Sequence, residues 1–323
     1  MCFCVFFCGL VPCIHSARGS LCEKYKLGEE LGHGASGVAQ VCIDRITGEE
    51  LACKKITKIE HLHQDEVGIL KQLYGHPNIV KLEAAFSDEK ETYLVMELCR
   101  GGSLFSNGSL LSEMEAAQLC KNLMEAVKFC HSNGIIHRDI SLKNILLGDN
   151  CFKLADFGLA AHFQPGEYLS DLIGTLCYMA PEVFKRRYSK EIDIWSSGVV
   201  IFAILSGNFP FHGNTFKSTI HAIEAARIDF DPEYWSNASP SVKDLIRGML
   251  HQDPRKRLTP EQVLDHDWVV HHTSDEARSS LATINTRRYF GSKSEKNSSS
   301  FSLSQVARDL IVCAKLILGL IPN

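Results

Sequence analysis

The chain has 323 residues, 45% of them apolar, and a formal net charge of −4. That length and apolar share can bury sizeable cores, while the slight acidic balance lacks the basic footprint that nucleic acid attracts. The 13 cysteines are an odd number, and those beyond residue 22 are scattered singly, which argues against a disulfide framework or a thiolate metal site.

In chain order, residues 1–24 read as a Cys-rich extension, with five cysteines in residues 1–22 around the run Val5-Phe6-Phe7. The run is too short to cross a bilayer, and Cys2 stands where myristoylation requires glycine. Palmitoylation of Cys2, Cys4 or Cys8, a cleaved signal peptide and a disordered extension compete; we adopt the last. Alternation over residues 25–56 predicts strands. Within it, Leu31-Gly32-His33-Gly34-Ala35-Ser36-Gly37 reads as a hairpin whose bare backbone can close over phosphates. Ala52-Cys53-Lys54 follows on a strand, Glu66 opens a helical pattern, and Thr92 to Met96 is strand-like before Gly101-Gly102. Helices dominate afterwards: Glu113 to His131 is amphipathic, and Asp193 to Leu205 is apolar enough to be buried all round.

Between those helices lie His137-Arg138-Asp139-Ile140-Ser141-Leu142-Lys143-Asn144 and Asp156-Phe157-Gly158. Phosphoryl transfer from ATP needs a carboxylate to orient and deprotonate a hydroxyl, and oxygen ligands to hold Mg²⁺ on the phosphates. Asp139, Asn144 and Asp156 supply that set. Any one of these strings recurs by chance, but their order, with Gly32-His33-Gly34 and Lys54 upstream and Ala180-Pro181-Glu182 and Asp193-Ile194-Trp195 downstream, leaves little room for coincidence.

On these motifs, residues 25 to 268 resemble the eukaryotic protein kinase family. The resemblance implies an α+β, bilobal fold, a small β-rich N-lobe followed by a larger helical C-lobe, with the site in the cleft between them. It also implies roles. Asp139 would be the catalytic base, Asn144 and Asp156 the Mg²⁺ ligands, Lys54 the clamp on the α/β-phosphates and Glu66 its ion-pair partner. Leu31, Gly32, Gly34 and Gly37 would cover ATP; Ala39, Ala52 and Leu146 would sandwich adenine; Met96 would be the gatekeeper, and Glu97 and Cys99 would offer backbone groups to the base. Glu182 and Arg257 should brace the activation segment, and Asp193 should anchor the catalytic loop. Gly174-Thr175-Leu176-Cys177-Tyr178-Met179 resembles the segment of serine/threonine kinases, so the acceptors are Ser/Thr hydroxyls of protein substrates.

Four departures from the family pattern carry further expectations. Ser141 replaces the usual lysine of the catalytic loop, and Lys143 stands where tyrosine kinases place an arginine, so Lys143 is expected to take over neutralisation of the transferring phosphoryl. The competing reading is a nucleotide-binding pseudokinase acting as a scaffold. Ser103, Lys143 and Ala203 stand where basophilic relatives carry acids, removing the usual reading of upstream arginine. Asp171 replaces a phosphorylated residue of the activation segment and can pair with Arg138. Ser36 and Ala39 trim the apolar cover over adenine.

The nearest resemblance within the family is to the calcium/calmodulin-dependent group, especially plant calcium-dependent and phosphoenolpyruvate-carboxylase-kinase-related kinases. Leu94 to Gly102, Asp193 to Val199 with Leu205-Ser206-Gly207, and Ile228-Asp229-Phe230 leading to Trp235 carry it. No Asp-x-Asp-x-Asp-Gly loop occurs, so EF-hand calcium sensing is not expected of this sequence. The domain reading is an extension over 1–24, a kinase domain over 25–270, a Ser-rich linker over 271–304, where residues 292–304 hold seven serines, and an apolar helix over 305–323. In that last helix Val306, Leu310, Ala314, Ile317 and Ile321 would share a face. It either packs on the large lobe or makes an autoinhibitory, calmodulin or membrane contact through 305–321. A cytoplasmic enzyme, with nuclear or peripheral membrane placement as alternatives, fits the cysteine usage; neither a nucleic-acid partner nor a transmembrane span is expected.

Overall fold

The structure, a computed structural model, describes residues 20–34, 37–58, 65–107, 110–148 and 151–274. The Cys-rich stretch 1–19, the loop tip with Ser36, most of the Ser-rich linker and the apolar segment 305–323 lie outside the described residues. Two compact units divide the chain at 62/63, 81/82 and 98/99.

The first unit is a five-stranded antiparallel sheet: β1 (Tyr25–Gly34), β2 (Gly37–Asp44), β3 (Glu50–Thr57), β4 (Leu82–Ser87) and β5 (Glu91–Glu97), in the order β1-β2-β3-β5-β4, with one helical turn, α1 (Leu21–Lys24), before it. Period-2 alternation decides which side chain faces which way. Cys42, Leu51, Cys53 and Val95 are buried on one face with Leu21, Tyr25, Ala84 and Phe86. The opposite face carries the cross-strand rows Ala39–Lys54–Leu94 and Val41–Ala52–Met96. The β1–β2 hairpin narrows from Gly32 opposite Ala39 to Gly34 opposite Gly37. Gly37 sits at φ 130°, and a Cβ there would come 2.1 Å from the Lys55 carbonyl oxygen, so only glycine fits.

The second unit is helical. Its elements are α2 (Glu66–Gln72), α3 (Leu104–Asn107), α4 (Glu113–Ser132), α5 (Pro181–Phe184), α6 (Glu191–Ser206), α7 (Phe216–Ala225), α8 (Pro232–Trp235), α9 (Pro240–Met249), α10 (Pro260–Leu264) and α11 (Asp267–Thr273). Two short antiparallel ladders, β6 (Ile135–Ile136) with β9 (Ala161–His162) and, nested between them in the chain, the hairpin β7 (Ile145–Leu147) with β8 (Phe152–Leu154), hold the loops between α4 and α5. The periodicity did not signal them, because two or three residues are too few to show a period. The helix α2 with Glu66 groups with this unit although it lies between β3 and β4 in sequence.

Capping explains where the long helices begin and end. Ser112 and Glu115 form a reciprocal capping box at the start of α4, and Gly207 in the left-handed region ends α6. Helix α6 is buried along nearly its whole length, as its apolar sequence requires, and it packs against α4 and α9. Glu113, in the first turn of α4, accepts from the Ser239 backbone and hydroxyl and from Trp268 Nε1 at 2.6–2.7 Å, tying α4 to α9 and α11.

Candidate active site

The helical unit gathers Asp139, Asn144, Lys143 and Asp156 around one loop system anchored from beneath. Asp193, 1% exposed in α6, accepts from the backbone N–H groups of His137 and Arg138, each at 3.0 Å, and from His131 Nε2 at 2.9 Å. Burial alone would raise its pKa, but the hydrogen bond and charge of His131 and the contact with His137 win and hold the carboxyl below the usual range. Arg138 is thereby held at φ 67°, a left-handed conformation tolerated because its neighbours over-determine it. His137 stacks edge-to-face on Phe157 with 4.7 Å between ring centroids.

Asp139 emerges from this platform half-buried. Its Oδ1 accepts from the Thr175 backbone N–H at 3.0 Å and hydroxyl at 2.7 Å; its Oδ2 accepts from Asn144 Nδ2 at 2.9 Å, and the same amide donates to the Asp139 carbonyl at 2.8 Å. Desolvation pushes the carboxyl up to about 6, and the nearby Asp156 charge adds to the rise, while the Thr175 and Asn144 hydrogen bonds hold it down. Thr175 can reach Asp139 because Gly174, at φ 115°, passes the Arg138 carbonyl where a Cβ would lie 2.9 Å from that oxygen.

With both Nδ2 protons of Asn144 spent on Asp139, the amide is oriented so that its Oδ1 is available as an acceptor. Asp156, just past β8, is held at φ 61° and takes the Gly158 N–H at 3.3 Å. An amide oxygen and a carboxylate form the small hard-oxygen donor set that suits Mg²⁺, which keeps waters and phosphate oxygens as its other ligands. The residues present therefore fit the ion.

Lys143 is exposed, with its ammonium 5.3 Å from the centroid of the Phe105 ring in α3. Partial desolvation lowers its pKa, and the neighbouring Asp139 charge works in the other direction. Ser141 is buried, and its carbonyl accepts from the Asn144 N–H at 3.0 Å. Position 141 thus lies buried within the loop, and Lys143 is the exposed cation of the stretch 137–144.

The remaining named residues fall as follows. In the sheet unit, Lys54 is buried beside Ala39, Ala52 pairs with Met96, Leu51 pairs with Glu97, and Leu31 is 48% exposed on β1. In the helical unit, Glu66 is buried at the start of α2, Cys99 is buried and its carbonyl accepts from the Gly102 N–H, and Leu146 lies half-buried on β7 in a bridge to Ser103. Arg138 donates to Asp171 at 2.9 Å and to the Leu159 carbonyl at 2.7 Å. Tyr188, which also accepts from Arg138, together with His131 beneath Asp193 and Phe105 beside Lys143, escaped the sequence reading. Each is separated in sequence from the group it touches, and no motif spacing links them.

A glycine hairpin on an antiparallel sheet, and a helical unit whose loops hold Asp139, Asn144 and Asp156 in that order, are the parts of a nucleotide-dependent phosphotransferase of the protein kinase class. The chain belongs to the protein kinase domain family, whose model matches residues 25–269. It is similar to calcium-dependent protein kinases 14 and 7 of Arabidopsis thaliana, 44% and 41% identical over 262 residues that make up 76% of this chain and 49% of each relative. Calcium-dependent protein kinase 10 of Oryza sativa subsp. japonica is 40% identical over 264 residues, 77% of this chain and 44% of the relative. The chain spans about half the length of the curated relatives it matches. Among the described residues no helix is long and apolar enough to cross a membrane.

Proposed function

We propose that this chain transfers the γ-phosphate of ATP to Ser or Thr hydroxyls of protein substrates. The observation that carries the reading is Asp139: a desolvated carboxylate held by Thr175 and Asn144 and still partly open to solvent. That is the state a base needs in order to accept a hydroxyl proton. Ala39, Ala52, Lys54, Met96 and the glycine hairpin on the sheet unit, with Glu66, Cys99 and Leu146 on the helical unit, are assigned to nucleotide. Asn144 and Asp156 would hold Mg²⁺, which neutralises phosphate charge when bound. Thr175 positions Asp139 and leaves room for a short acceptor side chain. Incubation with labelled Mg-ATP and mixed protein acceptors tests the reading. Label on Ser and Thr supports it, while ATP binding with no transfer would leave the scaffold reading.

Two further expectations attach to this site. Because the base works as its carboxylate, kcat/KM should fall about tenfold per pH unit below about 6 and level off above it; a profile flat from pH 5 to 8 would contradict the assignment of Asp139. Lys143→Ala should lower kcat by roughly 10- to 100-fold with little change in the KM for ATP, and Lys143→Arg should retain most activity. An unchanged kcat in Lys143→Ala would remove Lys143 from the chemistry.

Acceptor choice follows from the same surroundings. Ser103 is engaged with Ser106, Lys143 is cationic, and Ala203 is wholly buried in α6. None offers a carboxylate to desolvate and pair a guanidinium. A peptide array should therefore show no dominant upstream arginine, and selection of Arg at the third upstream position would refute this.

A further inference from the structure

Two cysteines of the sheet unit come together on the face turned away from Ala39 and Lys54. Cys42 on β2 and Cys53 on β3 are 0% and 2% exposed in the same apolar cluster as Leu21 of α1, and Cys22, the next residue of α1, is exposed. The register sets Cys42 opposite Leu51 and Cys53 opposite Gln40, so the two buried thiols are diagonal neighbours on one face of an antiparallel pair. The two thiols act on each other: the neighbouring Cys53 thiol holds the Cys42 pKa down against burial and the Asp44 charge, while Cys42 and burial push the Cys53 thiol up. Two thiols side by side on one face of an antiparallel pair are the juxtaposition that a dithiol–disulfide pair requires.

We propose that Cys42 and Cys53 form an oxidisable dithiol, closed to a disulfide by hydrogen peroxide, and that closure disturbs the strand carrying Lys54. The Cys42 thiolate attacks a peroxide oxygen, giving a sulfenic acid and releasing hydroxide, which takes up the proton shed by Cys42 to make water. The Cys53 sulfur then attacks the Cys42 sulfur and gives up its proton as it does so, forming the S–S bond while the sulfenic oxygen takes that proton and leaves as a second water. Two electrons pass from the thiols to peroxide, and a dithiol such as dithiothreitol returns them. Access comes by opening of α1, a single turn at the end of the sheet, of the kind that opens at low free-energy cost.

The bridge should alter the sheet. Diagonal positions have Cα atoms about 7–8 Å apart, slightly beyond the roughly 4.4–6.8 Å that a disulfide spans, so closing it draws β2 and β3 together. Cys53 immediately precedes Lys54, and the Ala39–Lys54 row lies within the strip that must shift. The effect on activity rests on the proposed role of Lys54 in nucleotide binding; the disulfide itself does not.

The full chain, treated with graded hydrogen peroxide, alkylated while unfolding and mapped as peptides by mass spectrometry without reduction, should yield a Cys42–Cys53 linked pair. Phosphate transfer should fall at least fivefold in parallel and return with dithiothreitol. Cys42→Ala and Cys53→Ala should keep basal transfer and resist peroxide; Cys42→Val, which suits a strand, serves if the alanine variant fails to fold. Cys22→Ser should still form the pair. Both thiols recovered alkylated after peroxide, or Cys22 linked in place of either, would overturn the proposal; a mapped disulfide with undiminished transfer would overturn its link to Lys54. Because mapping needs no catalysis, a chain inactive before oxidation would fail the kinase reading alone.

Discussion

Replacing Asp139 by Asn should leave a folded protein that binds ATP and transfers phosphate about 10²- to 10⁴-fold more slowly, the range that general-base catalysis contributes. The substitution is nearly isosteric. An amide oxygen at the position of Oδ1 can still accept the Thr175 N–H and hydroxyl, and although the bond from Asn144 to Oδ2 is lost, the bond from Asn144 to the backbone carbonyl of residue 139 remains, so the turn at Gly174 and the loop should stay folded. What is lost is the proton acceptor, because an amide does not take up a proton near pH 7. Label transfer with saturating Mg-ATP, beside nucleotide affinity by calorimetry, separates the two. Transfer within threefold of the parent would remove Asp139 from the role of base. Loss of nucleotide binding together with transfer would show instead that the carboxylate holds the loop.

The second large effect concerns stability. Arg257 is 4% exposed, and its guanidinium donates to both carboxylate oxygens of Glu182, to the Glu191 carbonyl at 2.9 Å and to the His251 carbonyl at 3.1 Å. It also lies 5.1 Å from the Trp195 ring centroid. Glu182→Ala would strand a desolvated cation, and breaking one partner of a buried pair costs about 3–5 kcal/mol. For a domain of this size that corresponds to a fall in Tm of roughly 10 °C. Glu182→Gln should cost less, because an amide oxygen still accepts from the guanidinium. A melting curve for Glu182→Ala within about 2 °C of the parent would show that the pair contributes little. Helix α5 lies directly after the segment carrying Thr175, so the same variant should also loosen that segment and lower transfer.

Much of this was legible in residue order. The glycine pattern at 32–37 marks a hairpin because the Gly37 position excludes a side chain, and the run at 193–205 marks a buried helix because its apolar side chains leave it no polar face. The Arg138–Asp171 and Glu182–Arg257 pairs, expected from matched positions, are present as hydrogen-bonded contacts. What the linear order could not provide is the identity of partners far apart in the chain. His131 meets Asp193 across 62 residues, and Glu113 meets Trp268 across 155, because two helices must pack before either contact exists.

By itself the sequence determined the family, the strand and helix periods, and the identity of the chemical groups, since these depend on side-chain type and local spacing. Only tertiary structure decided their state. Asp139 has an ordinary carboxylate sequence context, and its rise to about 6 comes from desolvation in the folded loop. Ser141 is neutral in any conformation, but only packing shows that it is buried and that Lys143 is the exposed cation near the base. Cys42 and Cys53 are eleven positions apart in the chain, and it is the register of β2 on β3 that makes them neighbours. Charge state, exposure and contact are properties of the surrounding volume, which the chain acquires only on folding.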